Sequence, residues 1–227
     1  MFEAGIFEAV LFDLDGTLAD TAPDLGGATN RLLQEEGREQ KSIESLRPYV
    51  SQGVKGLLWA GFGITPDDAD YDRLTQRFLD LYSARLCEAT VLFEGIPALL
   101  DELELNRLQW GIVTNKRRRF TDPLAELLAL SPRTRCVVSG DTTAQPKPSP
   151  LPILHACELL NCRPEKTIYV GDDRRDIVAG KAAGCMTIAV SFGYFGDSGP
   201  IETWGADMII DHPSEISSFL KQQAAPK

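Results

Sequence analysis

The chain has 227 residues, 43% of them hydrophobic and 25% charged, and carries a formal net charge of −10. That length suits one large globular unit, or a core with a modest second lobe, and is enough to bury a core without disulfides. The acidic balance argues against nucleic acid or an anionic membrane as partner, since both call for Lys and Arg, while a small anionic substrate stays compatible because local charge can oppose net charge.

The opening MFEAGIFEAVLFDLDGT has no basic stretch, and Glu3, Glu8 and Asp13 break its apolar run. It does not read as a signal peptide. Phe7–Phe12 reads instead as a short buried strand bounded by acidic turn chemistry. From about Asp20 to Glu88 the spacing is helical, with no strand. Leu25, Leu32 and Leu33 mark one apolar face, Leu57, Leu58 and Phe62 a second, and Leu74, Phe78, Leu81 and Tyr82 a third. The acidic run Asp67, Asp68, Asp70 and Asp72 is expected to open a helix, where the dipole favours it. Beyond this segment short apolar runs alternate with helical spacing. The runs are Trp110–Val113, Cys136–Val138, Thr167–Val170, Met186–Val190 and Asp207–Ile210.

That alternation predicts an α/β fold, a Rossmann-like three-layer core with a parallel sheet between helices, carrying a small inserted helical lobe. Residues 1–19 and 90–227 form the expected core, and 20–89 the expected cap. Trp59, Trp110 and Trp204 are expected to pack in the core or between the lobes. No run of about 18 apolar residues exists, so no membrane span is expected. Cys87, Cys136, Cys157, Cys162 and Cys185 include no C-x-x-C, and only two histidines accompany them. They read as buried or inert thiols of a cytoplasmic protein, and neither zinc nor a disulfide framework is expected.

In open α/β sheets ligands bind beyond the carboxyl ends of the strands. Four polar clusters sit there or nearby: Asp13-Leu14-Asp15-Gly16-Thr17, Thr114-Asn115-Lys116, Pro146-Lys147-Pro148 and Gly171-Asp172-Asp173-Arg174-Arg175-Asp176. Alone, the lysine between prolines reads as merely exposed and each of the other three as a turn or a helix cap. Together they supply what a metal–phosphate site needs. Converging carboxylates without His or Cys select a hard ion such as Mg²⁺. Asp13 and Asp172 are the expected carboxylate ligands, a backbone carbonyl near Asp15 could complete the set, and Thr114 and Lys147 suit phosphate oxygens. Backbone N–H groups of the turn at Gly16 suit them too. Asp13 could attack phosphorus, with Asp15 protonating the leaving oxygen and then activating water.

These residues resemble the motifs of the haloacid dehalogenase superfamily, in its branch of phosphatases with a small helical cap. The resemblance spans essentially the whole chain. It implies a Mg²⁺ cofactor, Asp13 as nucleophile, Asp15 as acid/base, Thr114 and Lys147 as phosphate binders and Asp172 as metal ligand. Asp173 and Asp176 compete for a supporting place at the metal, with Asp173 slightly favoured. Dehalogenases of this fold lack the acid at the Asp15 position, so its presence implies an oxygen leaving group.

Phe12 to Asp24, Val113–Lys116 and Val50–Gly56 are similar to phosphoglycolate phosphatases. Gly193-Tyr194, Trp204–Asp207 and Asp211-His212-Pro213 also resemble N-acetylmuramic acid 6-phosphate phosphatases. The expected partner is thus a small phosphorylated metabolite, 2-phosphoglycolate first and N-acetylmuramic acid 6-phosphate as the alternative. The chain is expected as a monomer or homodimer. Ser51, Gln52, Gly53 and Lys55 are the cap residues expected to meet substrate, with Lys55 on a carboxylate. Asn115 joins them from the core, and Lys116 goes either to substrate or to a core acid. Arg117–Arg119 reads as a solvated helix start. The weighed rivals are a phosphosugar mutase, a phosphonatase using Lys55, a receiver-type signalling module and an inactive binding protein.

Overall fold

The computed structural model describes residues 7–196 and 198–223; parts of the expected core, residues 1–6 and 224–227, lie outside them. Six strands build the central sheet: β1 (Ala9–Phe12), β4 (Gln109–Val113), β5 (Val137–Val138), β6 (Thr167–Gly171), β7 (Met186–Val190) and β8 (Met208–Ile210). Their order is β5-β4-β1-β6-β7-β8, and every neighbouring pair is parallel. The expected strands therefore form, with ends shifted by one or two residues.

The strands read as unbroken apolar runs because both faces are covered. Val10, Phe12, Ile168 and Val170 face one way, into a core shared with α5 (Ile96–Leu105), α6 (Arg118–Leu127) and α9 (Ser214–Gln223). Leu11, Val113 and Tyr169 face the other, against α7 (Leu151–Leu160) and α8 (Arg174–Ala183). This is the three-layer arrangement.

Between β1 and β4 the chain makes α1 (Ala22–Glu35), α2 (Ile43–Leu46), α3 (Gly53–Phe62) and α4 (Tyr71–Ser83). The three expected apolar faces belong to α1, α3 and α4, which pack on one another. Two two-residue strands, β2 (Ala19–Asp20) and β3 (Val91–Leu92), pair antiparallel and bracket these helices. Strands this short leave no periodicity to read. Trp110 and Trp204 are buried, but Trp59 is 51% exposed on α3, contrary to expectation. On that helix Leu57, Leu58 and Phe62 take the buried positions instead.

The loops after β1 and β6 are neighbours. One leads towards β4 and the other towards β7, on opposite sides of β1. That makes a topological switch point, where the sheet opens a crevice for ligands. Among the described residues no helix is long and apolar enough to cross a membrane.

Candidate active site

Asp13 follows β1 directly, Thr114 follows β4, and Asp172 follows β6. Lys147 comes from the loop between β5 and α7 and is only 3% exposed. Its ammonium donates to the Val113 carbonyl at 2.9 Å and to the Tyr169 hydroxyl at 2.8 Å. It also lies 3.0 Å from Asp13 Oδ1 and 2.7 Å from Asp176 Oδ1. Burial works against the ammonium charge, but Asp13 and Asp176 more than offset it and hold its pKa above the usual lysine value. Asn115 secures the lysine's main chain, donating to the Lys147 carbonyl and accepting from its N–H, both at 2.9 Å.

One carboxylate oxygen each from Asp13, Asp172 and Asp176 lies within 4.8 Å of the other two. Asp172 is oriented by the Thr17 hydroxyl at 3.0 Å and the Tyr194 N–H at 2.9 Å. Burial, then the charges of Asp13 and Asp176, push the Asp172 carboxyl well above the carboxylate range. Burial is also the largest influence on Asp176, which is pushed up to about 6 despite Lys147. Three acids of which two are fully buried, served by one lysine, leave negative charge uncompensated. The all-oxygen donor set fits a hard divalent cation.

The fourth-motif acid that joins this cluster is Asp176, whereas Asp173 was slightly favoured from sequence. The Asp173 carboxylate is committed elsewhere. It accepts from the Arg175 N–H at 2.8 Å, capping α8, and pairs with the Arg175 guanidinium at 2.8 Å. Asp176 completes the box by accepting from the Asp173 N–H. The Asp15 carboxylate also stands outside the cluster, bound by Lys116 at 3.0 and 3.2 Å and by the Thr21 hydroxyl at 2.6 Å. Of the two places open to Lys116, the structure selects the core acid. Burial disfavours its charge, but Asp15 and Tyr82 outweigh this and raise its pKa. Gly16 serves Asp172 rather than lining the cavity: a Cβ there would sit 2.1 Å from Asp172 Oδ2, and its φ is +85°.

A cavity of about 550 Å³ opens above these groups. Asp13, Asp15, Thr114, Asn115, Lys116 and Lys147 line its core side. Ser51, Gln52 and Gly53 line it from the cap side. Lys55 does not line it; two residues further round the helical turn, it points to solvent. In its place the wall gains three arginines. Arg117 and Arg119 are exposed, as expected of a solvated helix start, but also border the cavity, and Arg175 reaches across to donate to the Ser51 carbonyl at 2.6 Å.

Two buried groups tie the site to the base of the cap. The Asp24 carboxylate accepts from the N–H groups of Ala89 and Thr90, at 3.1 and 2.8 Å, and from the Thr90 hydroxyl at 2.7 Å. The Tyr194 hydroxyl accepts from the Thr21 and Ala22 N–H groups at 2.7 and 3.0 Å and donates to Asp20 at 2.9 Å. Asp20 in turn holds Arg47 through two bonds of 2.8 and 2.9 Å. These roles of Asp20 and Asp24 had no signature in sequence beyond their place in the opening motif. Tyr194, some 170 positions away, stood out only in the Gly193-Tyr194 resemblance, which did not give this role.

The model of the family described as haloacid dehalogenase-like hydrolase matches residues 10–190. An N-acetylmuramic acid 6-phosphate phosphatase from Pseudomonas aeruginosa is 39% identical over 213 residues, covering 94% of each chain. A phosphoglycolate phosphatase from Xanthomonas campestris pv. campestris is 39% identical over 209 residues, covering 92% of this chain and 94% of the relative. The crystal structure of a predicted phosphoglycolate phosphatase from Haemophilus somnus 129pt superposes with a TM-score of 0.84 at 24% identity, over 95% of this chain and 99% of that one; at that identity it attests the fold. Family match, relatives and strand-end motifs agree, and the chain belongs to the haloacid dehalogenase-like hydrolases.

Proposed function

We propose that this phosphatase hydrolyses small phosphate monoesters through an aspartyl-phosphate on Asp13, with Mg²⁺ as cofactor. The observation that carries the reading is the setting of Asp13: at the floor of the cavity, 3.0 Å from Lys147 and beside Asp172 and Asp176. The carboxylates of Asp13, Asp172 and Asp176 would hold the cation, together with the Asp15 main-chain carbonyl. Once bound, the cation polarises phosphoryl oxygens and offsets their charge.

A carboxylate oxygen of Asp13 attacks phosphorus as the ester P–O bond breaks. Asp15, as the acid, gives its proton to the departing alkoxide. Asp15 then takes a proton from water as that water attacks phosphorus, which frees phosphate and restores Asp13. Lys147 and the Thr114 hydroxyl bind phosphoryl oxygens and stabilise charge as it builds there. Lys116 and Thr21 aim Asp15.

The leaving group is 2-phosphoglycolate's glycolate in the first reading, supported by the names of several relatives. The second reading, N-acetylmuramic acid 6-phosphate, is supported by the names of others and by the cavity. About 550 Å³ with Leu25, Phe78 and Leu79 in its wall offers more apolar surface than two carbons can cover. The test is phosphate release with Mg²⁺ from 2-phosphoglycolate, N-acetylmuramic acid 6-phosphate and p-nitrophenyl phosphate. The ratio of the first two kcat/KM values ranks the substrates. Release from none of the three would overturn the phosphatase reading.

A further inference from the structure

Two of the cations that line the cavity are not held by any of its acids. Four carboxylates line it and lie against three cations: Asp13 and Asp176 share Lys147, Asp15 has Lys116, and Asp173 has Arg175. Arg117 and Arg119 line the same space, and among the described residues neither has a carboxylate within ion-pair distance. Both are exposed, so they stand where the cavity meets solvent. Arg119 is steadied there, its guanidinium 4.5 Å from the centre of the Phe120 ring. In a chain of net charge −10, two unmatched arginines at one cavity mouth are local charge opposed to the global field.

The opposite wall has polar groups to spare as well. Ser51 Oγ and Thr75 Oγ1 are buried, line the cavity and have no hydrogen-bond partner among the described residues. An unmet buried hydroxyl is destabilising, a cost that a ligand accepting its hydrogen bond removes. Ser51 lies on the 3₁₀ turn preceding α3, and Thr75 on α4, so both belong to the cap side. Arg117 and Arg119 open α6 of the core. A ligand touching all four would bridge the two sides.

We infer that Arg117 and Arg119 receive a carboxylate carried by the leaving group of the phosphate ester, with Ser51 and Thr75 completing the subsite from the cap. Guanidinium forks match a planar carboxylate in two directions, which a solvated lysine does not. The inference rests on the phosphatase reading, whose two candidate substrates both carry a carboxylate, and adds the residues that recognise that group. It also assigns to these arginines the carboxylate contact that Lys55, turned to solvent, does not make.

The test uses two substrate pairs, one differing by the carboxylate and one by the lactyl group that carries it: 2-phosphoglycolate against 2-hydroxyethyl phosphate, and N-acetylmuramic acid 6-phosphate against N-acetylglucosamine 6-phosphate. The full-length chain should prefer the acid in at least one pair by about tenfold or more in kcat/KM. Arg117→Gln with Arg119→Gln should reduce that preference at least about tenfold, and each single change should reduce it in part. Thermal melting of each variant checks that it is folded, and Arg119→Lys should restore only part of the preference. The inference falls if the full-length chain prefers the acid in neither pair, or if the double variant keeps the preference. p-Nitrophenyl phosphate separates the two failures. Its turnover with no carboxylate preference sinks the subsite alone, whereas no turnover of any ester sinks the phosphatase reading and the subsite with it.

Discussion

The ammonium of Lys147 lies 3.0 Å from Asp13 and 2.7 Å from Asp176. It is the fixed counter-charge of the acidic cluster. Removing it while the carboxylates stay buried leaves unpaired charge, which costs about 3–5 kcal/mol. Lys147→Met should therefore lower the melting temperature of the metal-free protein, and added Mg²⁺ should recover part of the loss. Turnover should fall at least about a hundredfold, because a donor to the phosphoryl oxygens is gone. A variant with unchanged melting and rate would remove Lys147 from the site.

Asp13→Asn keeps the shape of the side chain and removes the nucleophile. Hydrolysis should be abolished, while circular dichroism and melting show a folded protein. More than a few per cent of wild-type rate would exclude attack by Asp13. Asp15→Asn should slow alkyl phosphates much more than p-nitrophenyl phosphate, whose leaving group needs no proton. Equal losses on both would exclude Asp15 as the acid.

Asp176 and Asp173 are three residues apart on one helical turn but face different partners. Mg²⁺ that binds only the folded state raises stability by about 2.7 kcal/mol at a hundred times its dissociation constant. Asp176→Asn should abolish or greatly shrink the Mg²⁺-induced rise in melting temperature. Asp173→Asn should keep the rise from a lower starting point, since it loses a helix cap. The reverse pattern would return the metal role to Asp173.

A side chain at position 16 meets two obstacles at once. The backbone sits at φ +85°, and a Cβ would lie 2.1 Å from Asp172 Oδ2. Gly16→Ala should cost about 1–2 kcal/mol for the left-handed backbone alone. Displacement of Asp172 should also weaken the Mg²⁺ response. A Mg²⁺ titration by melting, compared with wild type, reads both effects.

Tyr194 joins the metal-side loop to the base of the cap, with its N–H on Asp172 and its hydroxyl on Thr21, Ala22 and Asp20. Tyr194→Phe retains the ring and the N–H but strands the buried Thr21 N–H and leaves that of Ala22 only a 3.4 Å bond to Asp20. A stranded donor costs about 1–3 kcal/mol. Melting should drop accordingly. A drop of less than about 0.5 kcal/mol would mean that water or a shifted chain meets those donors.

The sequence by itself determined the layered α/β fold and the order of its strands along the chain, because strands buried on both faces must be apolar throughout. It also determined which strand ends carry acids and which loop carries Lys147. Those are local facts, written in composition and spacing. The choices among near neighbours were left to the tertiary structure. Asp176 enters the cluster in place of Asp173 because Arg175 and the α8 cap claim Asp173. Lys116 goes to Asp15, Lys55 turns to solvent away from the cavity, and Arg117 and Arg119 stand exposed at the cavity mouth, because each direction depends on how the cap meets the core. Two facing surfaces from distant parts of the chain set those directions. No spacing within either surface encodes them.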